Sequence, residues 1–275
     1  MKLSIITINL NNAKGLRKTI ESVINQTFKD FEYIVIDGGS TDGSVETIKE
    51  YADYINYWIS EPDKGIYNAM NKGIAVAKGE YLQFLNSGDW LYSSSILENV
   101  FSLNRNEDLL YGDIVTYKGE NKCIPDIYPN EITAFRLFNT TICHQSIFHK
   151  KKLFEKNYYN EKNRAVSDWE FLLQAVIVNN CSTYKINEFI VYLDEIDSKN
   201  WGKLIQEERA IVLKNYFPQR IINDYEFFTS LINDPLFHFL SILHPYPKLK
   251  KSVKLFIKII LSMTRKKHLL TKSPY

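Results

Sequence analysis

Phe31-Glu-Tyr-Ile-Val-Ile-Asp-Gly-Gly-Ser-Thr-Asp-Gly-Ser44 passes abruptly from an apolar run into glycines and small polar residues. Residues 31–36 read as a buried strand, and the Asp/Gly/Ser/Thr cluster as the loop that ends it. A helix is expected over 45–51. Upstream the same order appears: an apolar run at 3–8, a polar stop at Asn9-Leu-Asn-Asn12, then Leu16, Ile20, Val23 and Ile24 at i, i+4, i+7 and i+8. Downstream it recurs as a strand over 54–59, a helix over 66–77 and a strand over 81–85.

Repeated β-α-β units imply a Rossmann-like, mostly parallel α/β sheet with helices on both faces. In such sheets ligands bind beyond the carboxyl ends of the strands. That rule places Asn9 to Asn12, Asp37 to Gly43, Ser60 to Lys64 and Asn86 to Asp89 along one rim. Past residue 105 the pattern loosens into a strand over 109–117, a polar stretch over 119–130, and Ile142-Cys-His-Gln-Ser-Ile-Phe148, where His144 and Gln145 interrupt an apolar strand. A helix starts at Ser167, where Ser167-x-x-Glu170 has the form of a capping box and Trp169, Leu172, Leu173, Val176 and Ile177 form an apolar stripe. The expected organisation is an α/β domain over 1–200, with the rim loops in its first half over 1–105 and the other side of the cleft in its second half over 106–200. A helical extension over 201–275 follows.

Composition narrows the class. The chain has 275 residues, 45% of them hydrophobic and 14% aromatic, enough for a large core and incompatible with a disordered chain. All 32 Asp and Glu precede residue 236, together with 25 of the 34 Lys and Arg, so an acidic body carries a tail with nine basic residues and no acid. Cys123, Cys143 and Cys181 show neither metal-ligand spacing nor a disulfide framework. Nothing reads as a signal peptide, a transmembrane span or a nucleic-acid-binding motif, so a cytoplasmic location is expected.

Several rim residues carry candidate chemistry. Asp37 offers an acceptor-only carboxylate to ribose hydroxyls or a base N–H, or serves as turn chemistry alone. Thr7, Asn9, Asp63, Lys64 and Asn86 complete the candidate donor-binding set; Lys64 suits a phosphate and Asp63 a nucleotide donor, or both are solvated charge at a helix start. Asp89 suits a hard divalent cation, Mn²⁺ or Mg²⁺, or caps the following helix. Asp168, in the first turn of its helix, is a candidate general base or plain helix-start electrostatics. His144, Gln145 and Trp169 are candidates on the acceptor or donor side, with a core role for the histidine as the alternative.

In order along the chain, Ser4-Ile-Ile-Thr-Ile-Asn-Leu-Asn-Asn12, Gln26-Thr-Phe28, the 31–44 segment, Gly79-Glu-Tyr-Leu-Gln-Phe-Leu-Asn-Ser-Gly-Asp89 and Ser167-Asp-Trp-Glu170 resemble the family 2 glycosyltransferases with the GT-A fold, over roughly residues 1–200. The resemblance implies an inverting, metal-assisted transfer from a nucleotide diphosphate sugar, often UDP-linked, to a glycan or lipid-linked acceptor in bacterial polysaccharide or glycolipid assembly. It also implies that Asp37 binds the nucleoside, Asp89 the metal, and that Asp168 is the base. The sequence departs from the family at Asn86-Ser-Gly-Asp89, which keeps only the last carboxylate of an Asp-x-Asp signature, at Gly38, where many relatives carry Asp, and at Ser167, where many have Glu.

Other classes fit less well. A nucleotidyltransferase needs a Gly-rich basic loop after the first strand, and a dinucleotide oxidoreductase needs G-x-G-x-x-G there; the chain has Asn9-Leu-Asn-Asn12. A non-catalytic sugar-nucleotide-binding protein is the rival reading, because the metal and base motifs are reduced. In the tail, Val253, Phe256, Ile257, Ile260 and Leu261 alternate with Lys254, Lys258 and Arg265, followed by Lys266 and Lys267. This is an amphipathic pattern suited to an anionic membrane surface over 250–270 on the inner face of the cytoplasmic membrane, or to docking on protein.

Overall fold

A computed structural model describes residues 1–119, 122–194, 201–235, 237 and 246–263. The chain divides into two compact units, Met1–Tyr216 and Phe217–Tyr275. The first opens with β1 (Leu3–Asn9), α1 (Ala13–Ile24), β2 (Phe31–Asp37), α2 (Ser44–Glu50), β3 (Tyr57–Ser60), α3 (Ile66–Val76) and β4 (Tyr81–Phe84). β1, β2, β3 and β4 pair in parallel with β1 central, Leu3 opposite Phe31 on one side and Tyr81 on the other. All seven residues of β1 are buried. Because successive side chains point to opposite faces, that pattern requires cover on both. On one face α3 supplies it so closely that a side chain on Gly73 would strike Ile6.

The expected strand over 54–59 starts late. Ala52–Tyr54 forms a 3-10 turn, and Asn56 pairs with Tyr33 through its side-chain oxygen and its backbone amide, so the edge strand begins only at Tyr57.

Next come β5 (Trp90–Leu91), α4 (Ile96–Ser102), β6 (Leu109–Tyr117), β7 (Cys123–Asp126), α5 (Ala134–Asn139), β8 (Ile147–Lys150), α6 (Ser167–Leu173) and β9 (Thr183–Asp194). The sheet order is β3-β2-β1-β4-β8-β6-β9-β5, with β7 on β6. Antiparallel β8 joins the parallel half to the β6–β9 half. It thereby brings the residues before it, including His144, to the carboxyl-end rim of β1 and β4. His144 and Gln145 lie in a 3-10 turn, His144–Ser146, and not within a strand as expected.

The helix α7 (Gly202–Tyr216) belongs to the first unit, so that unit extends past residue 200. Its Glu208 carboxylate accepts from the Arg164 and Ala165 amides at 2.8 and 2.9 Å, Arg209 donates to the Thr140 carbonyl, and Val212 is buried. The second unit holds α8 (Gln219–Ile232) and α9 (Pro247–Met263). The tail expectations for Arg265, Lys266 and Lys267, and for the side chains of Ile260 and Leu261, lie outside the described residues. Among the described residues no helix is long and apolar enough to cross a membrane.

Candidate active site

A cavity of about 630 Å³ opens where the strand-end loops meet α3, α6 and α7. That volume suits a ligand of nucleotide-sugar size. Asn9, Asp63, Lys64, Asn86, His144 and Asp168 from the sequence reading all line it, joined by Tyr67, Arg164 and Trp201. Thr7, Asp37, Asp89, Gln145 and Trp169 do not.

Asp37 is fully buried. Its Oδ1 accepts from Asn9 Nδ2 at 2.7 Å and Ser40 Oγ at 2.6 Å, and its Oδ2 from Ser60 Oγ at 2.6 Å and the amides of Gly39 and Ser40. Burial pushes its pKa up, but Ser40, Ser60 and Asn9 outweigh burial and hold the carboxyl below its ordinary range. A carboxylate has about four acceptor positions, and these five donors fill them. In this structure Asp37 ties the ends of β1, β2 and β3 together and lies outside the cavity lining. Asn9 stands in front of it. With Nδ2 committed to Asp37 and Ser40, its buried Oδ1 has no partner.

Thr7 is likewise buried and shares a hydrogen bond with the Tyr33 hydroxyl. It is sealed below the rim and lies outside the cavity lining. Trp169 is 2% exposed and donates its indole N–H to the Leu137 carbonyl at 2.7 Å, so it is core.

Gly38 has a structural explanation, because a side chain there would strike the Asp63 carboxylate. Asp63 in turn accepts from the Gly65 amide at 2.8 Å, which fixes the loop leading into α3.

The Asn86-Ser-Gly-Asp89 turn follows β4. Gly88 takes φ = 106°, a left-handed conformation that glycine adopts without strain, and Thr19 of α1 clamps the turn by accepting from Gly88 N and donating to the Asp89 carbonyl. Asp89 does not project into the cavity as expected. It is 8% exposed, with Oδ2 accepting from Gln145 Nε2 at 2.7 Å and Oδ1 from the Asp194 amide at 3.0 Å. Burial pushes its carboxyl up to about 6 against those two hydrogen bonds. About half its acceptor positions remain open. A buried, electrostatically unfavourable carboxylate with open positions fits one hard cation whose other ligands are phosphate oxygens. Among the described residues, no three His, Cys, Asp or Glu side chains group as a complete cage.

Asp168 sits in the first turn of α6, but the expected capping box does not form. Val166 is the N-cap and contributes no side-chain bond; Ser167 Oγ accepts from the Asn160 amide, and Glu170 accepts from Asn160 and Asn163. Two other residues hold Asp168. The Tyr67 hydroxyl donates to Oδ1 at 2.7 Å, and His144 Nδ1 lies 2.9 Å from Oδ2. Burial would raise the Asp168 pKa, but His144 first and Tyr67 second reverse it, leaving the carboxyl below its ordinary range. An ionised carboxylate at a cavity wall is equipped to take a proton.

The sequence marks the Ser60 to Lys64 loop without singling out Tyr67, whose apolar ring gives no signal. Arg164 and Trp201 give none either. Both depend on the return of α7 to the cavity, where the Arg164 guanidinium lies 5.8 Å from the Trp201 ring centre.

Residues 4–156 match the sequence family described as glycosyl transferase family 2. Over 180 residues the chain is 33% identical to a PGL/p-HBAD biosynthesis glycosyltransferase of Mycobacterium bovis, spanning 62% of this chain and 68% of that protein. It is 28% identical over 248 residues to the glycosyltransferase GlyA of Streptococcus pneumoniae, spanning 78% of this chain and 35% of GlyA. Among solved structures, S. aureus TarS 1-349 in complex with UDP has the same fold with a TM-score of 0.63 at 18% identity, covering 86% of this chain and 73% of that one. The mannosyltransferase PcManGT from Pyrobaculum calidifontis, solved with GDP-Man and Mn²⁺, aligns with a TM-score of 0.57 at 14% identity over 96% of this chain and 81% of that one.

Proposed function

The chain belongs to glycosyl transferase family 2, and on that premise we propose that it moves a sugar from a nucleotide diphosphate donor, UDP-linked, to a hydroxyl of a glycan or lipid-linked acceptor with inversion at the anomeric carbon. The observation that carries this reading is the Asp168 carboxylate, anchored by Tyr67 and His144 on the wall of a cavity formed at the strand ends. Asp168 takes the acceptor hydroxyl proton as that oxygen bonds to the anomeric carbon. The bond from that carbon to the diphosphate breaks on the opposite face, and its electron pair leaves with the nucleotide.

Asn9 and Asn86, each with a buried unpaired Oδ1, offer acceptors to donor hydroxyl or N–H groups. Lys64 and Arg164 bring positive charge to the diphosphate. Asp89 would hold a divalent cation, Mn²⁺ or Mg²⁺, with phosphate oxygens; such an ion neutralises charge on the departing diphosphate.

Peripheral attachment to an anionic membrane surface, on the inner face of the cytoplasmic membrane, belongs to the same proposal. It is supported by exposed Lys251, Lys254 and Lys258 along α9, and by exposed Leu249 and Phe256.

The deciding experiment exposes the full chain to a panel of nucleotide sugars with and without Mn²⁺, reading melting temperature and then sugar transfer to candidate acceptors. A UDP-sugar that raises the melting temperature and is consumed with inversion supports the proposal. Binding without turnover in the presence of an acceptor accepted by close relatives would favour the non-catalytic reading.

A further inference from the structure

His144 is engaged through both ring nitrogens. Its ring bridges the turn after β4 and the first turn of α6, with Nδ1 at 2.9 Å from Asp168 Oδ2 and Nε2 at 3.3 Å from Asn86 Nδ2. An amide nitrogen can only donate, so Nε2 accepts and the neutral ring carries its proton on Nδ1, pointed at Asp168. Reversing the Asn86 amide would place Oδ1 against Nε2 and demand a proton there as well. In that doubly protonated ring Nδ1 still donates to Asp168. Either orientation of Asn86 leaves His144 a donor to the carboxylate.

The neighbouring histidine shows what a structural ring looks like here. His149 is 2% exposed and packs between Phe84, Phe154 and Phe171; burial lowers its pKa to about 3, and its Nδ1 has no partner. His144 instead lines the cavity with both ring nitrogens engaged.

We propose that His144 is a positioning residue for the base: its Nδ1–H aims the Asp168 carboxylate at the acceptor, and Asn86 on the donor side sets the tautomer that makes this possible. The proposal rests on the reading of Asp168 as the base. It joins the donor-side turn after β4 to the base on α6 through one chain of hydrogen bonds, Asn86 to His144 to Asp168. Tyr67 from α3 holds the other carboxylate oxygen, so the carboxylate has little freedom to rotate. The titratable groups around Asp168 are His144, Tyr67, Tyr159, Cys143, His149 and Arg209, and of these only His144 and Tyr67 bond to its oxygens.

The test uses the full chain labelled for NMR, with His144→Asn, whose amide nitrogen reaches the Nδ1 position, and His144→Phe, which has no donor. In the wild type, the His144 ring should carry a proton on Nδ1. The Asp168 carboxyl midpoint should rise by about one unit or more in His144→Phe and stay near wild type in His144→Asn. The acidic limb of kcat should move with it, and kcat in His144→Phe should fall about tenfold to a hundredfold while donor Kd is unchanged. An unmoved midpoint in His144→Phe, or a wild-type ring protonated only on Nε2, overturns the proposal. If His144→Phe does not fold, His144→Gln, whose amide reaches the Nε2 position, replaces it in the comparison. The titration needs no turnover, so a protein that shows these midpoints yet transfers no sugar refutes the assignment of the base and leaves the His144–Asp168 coupling standing.

Discussion

The Asp63 carboxylate occupies the space that a side chain on Gly38 would need. The family resemblance leads to the expectation of a second acid at position 38; here the loop before α3 delivers a carboxylate to that space from a different strand end. The acid at this corner of the cavity is Asp63, 25 residues further along the chain.

Gly38→Ala should separate packing from binding. The displaced group is the end of a half-buried side chain that can swing away, so the stability loss should be about 1 kcal/mol or less. Swinging Asp63 out of the cavity should weaken donor binding about tenfold, roughly 1.4 kcal/mol. Calorimetric titration with the donor and a thermal melt on the same sample measure both. A variant that binds the donor as tightly as wild type would remove Asp63 from the site.

Asp168→Asn keeps the shape and the Tyr67 contact but cannot accept a proton. Transfer should fall by about 10² to 10⁴ in kcat, with donor Kd within about threefold of wild type. Steady-state kinetics with a defined acceptor, paired with a donor-binding measurement, check it; full activity would assign the base elsewhere.

Most of the fold is legible in the sequence because its signals are local. The apolar runs at β1, β2 and β4 and the polar stops after them depend on neighbours a few residues away. The site is less legible because its chemistry is decided by partners far along the chain. Asp37 and Asp168 look alike as strand-end and helix-start carboxylates. One is sealed by Ser40, Ser60 and Asn9, and the other is anchored at the cavity by Tyr67, 101 residues upstream. The capping box at Ser167 failed for the same reason: Asn160 and Asn163 captured Glu170 before it could fold back on its own helix.

Asp37→Asn should be mainly a stability variant. It replaces a buried carboxylate that holds five donors, and the loss should be about 2–4 kcal/mol at pH 7. The native pKa lies below the unfolded value of 3.8, so the carboxylate's contribution is present above about pH 4 and is lost as pH falls through the native value. Urea melts at pH 7 and pH 3 should show the gap between wild type and variant narrowing at the lower pH.

Asp89 has the opposite sign. Its native pKa, about 6, lies above the unfolded 3.8, so the ionised form is a burden on the metal-free fold that is fully felt above pH 6 and relieved as pH falls toward 4. The burden is about 3 kcal/mol. Asp89→Asn should therefore gain on wild type in thermal stability between pH 5 and pH 8 without added metal. Added Mn²⁺ and UDP should raise the wild-type melting temperature at pH 8 more than that of the variant. Equal Mn²⁺ responses in the two proteins would take the metal away from Asp89.

The basic helix makes the last prediction. On α9, Lys251, Lys254 and Lys258 are spaced at i, i+3 and i+7 and fall on one face, while Leu249 and Phe256, 50% and 63% exposed, fall on the opposite one. A basic residue near an anionic surface contributes about 1 kcal/mol. The full chain should therefore co-sediment with vesicles containing phosphatidylglycerol and much less with pure phosphatidylcholine. Changing the three lysines to Glu should weaken binding to the anionic vesicles on the order of a hundredfold or more, and raising the salt should weaken wild-type binding in the same direction. Activity toward a soluble acceptor should be untouched by the triple change, because the catalytic groups lie in the first unit. Binding that is indifferent to lipid charge, or unchanged in the triple variant, would assign this helix to a protein partner instead.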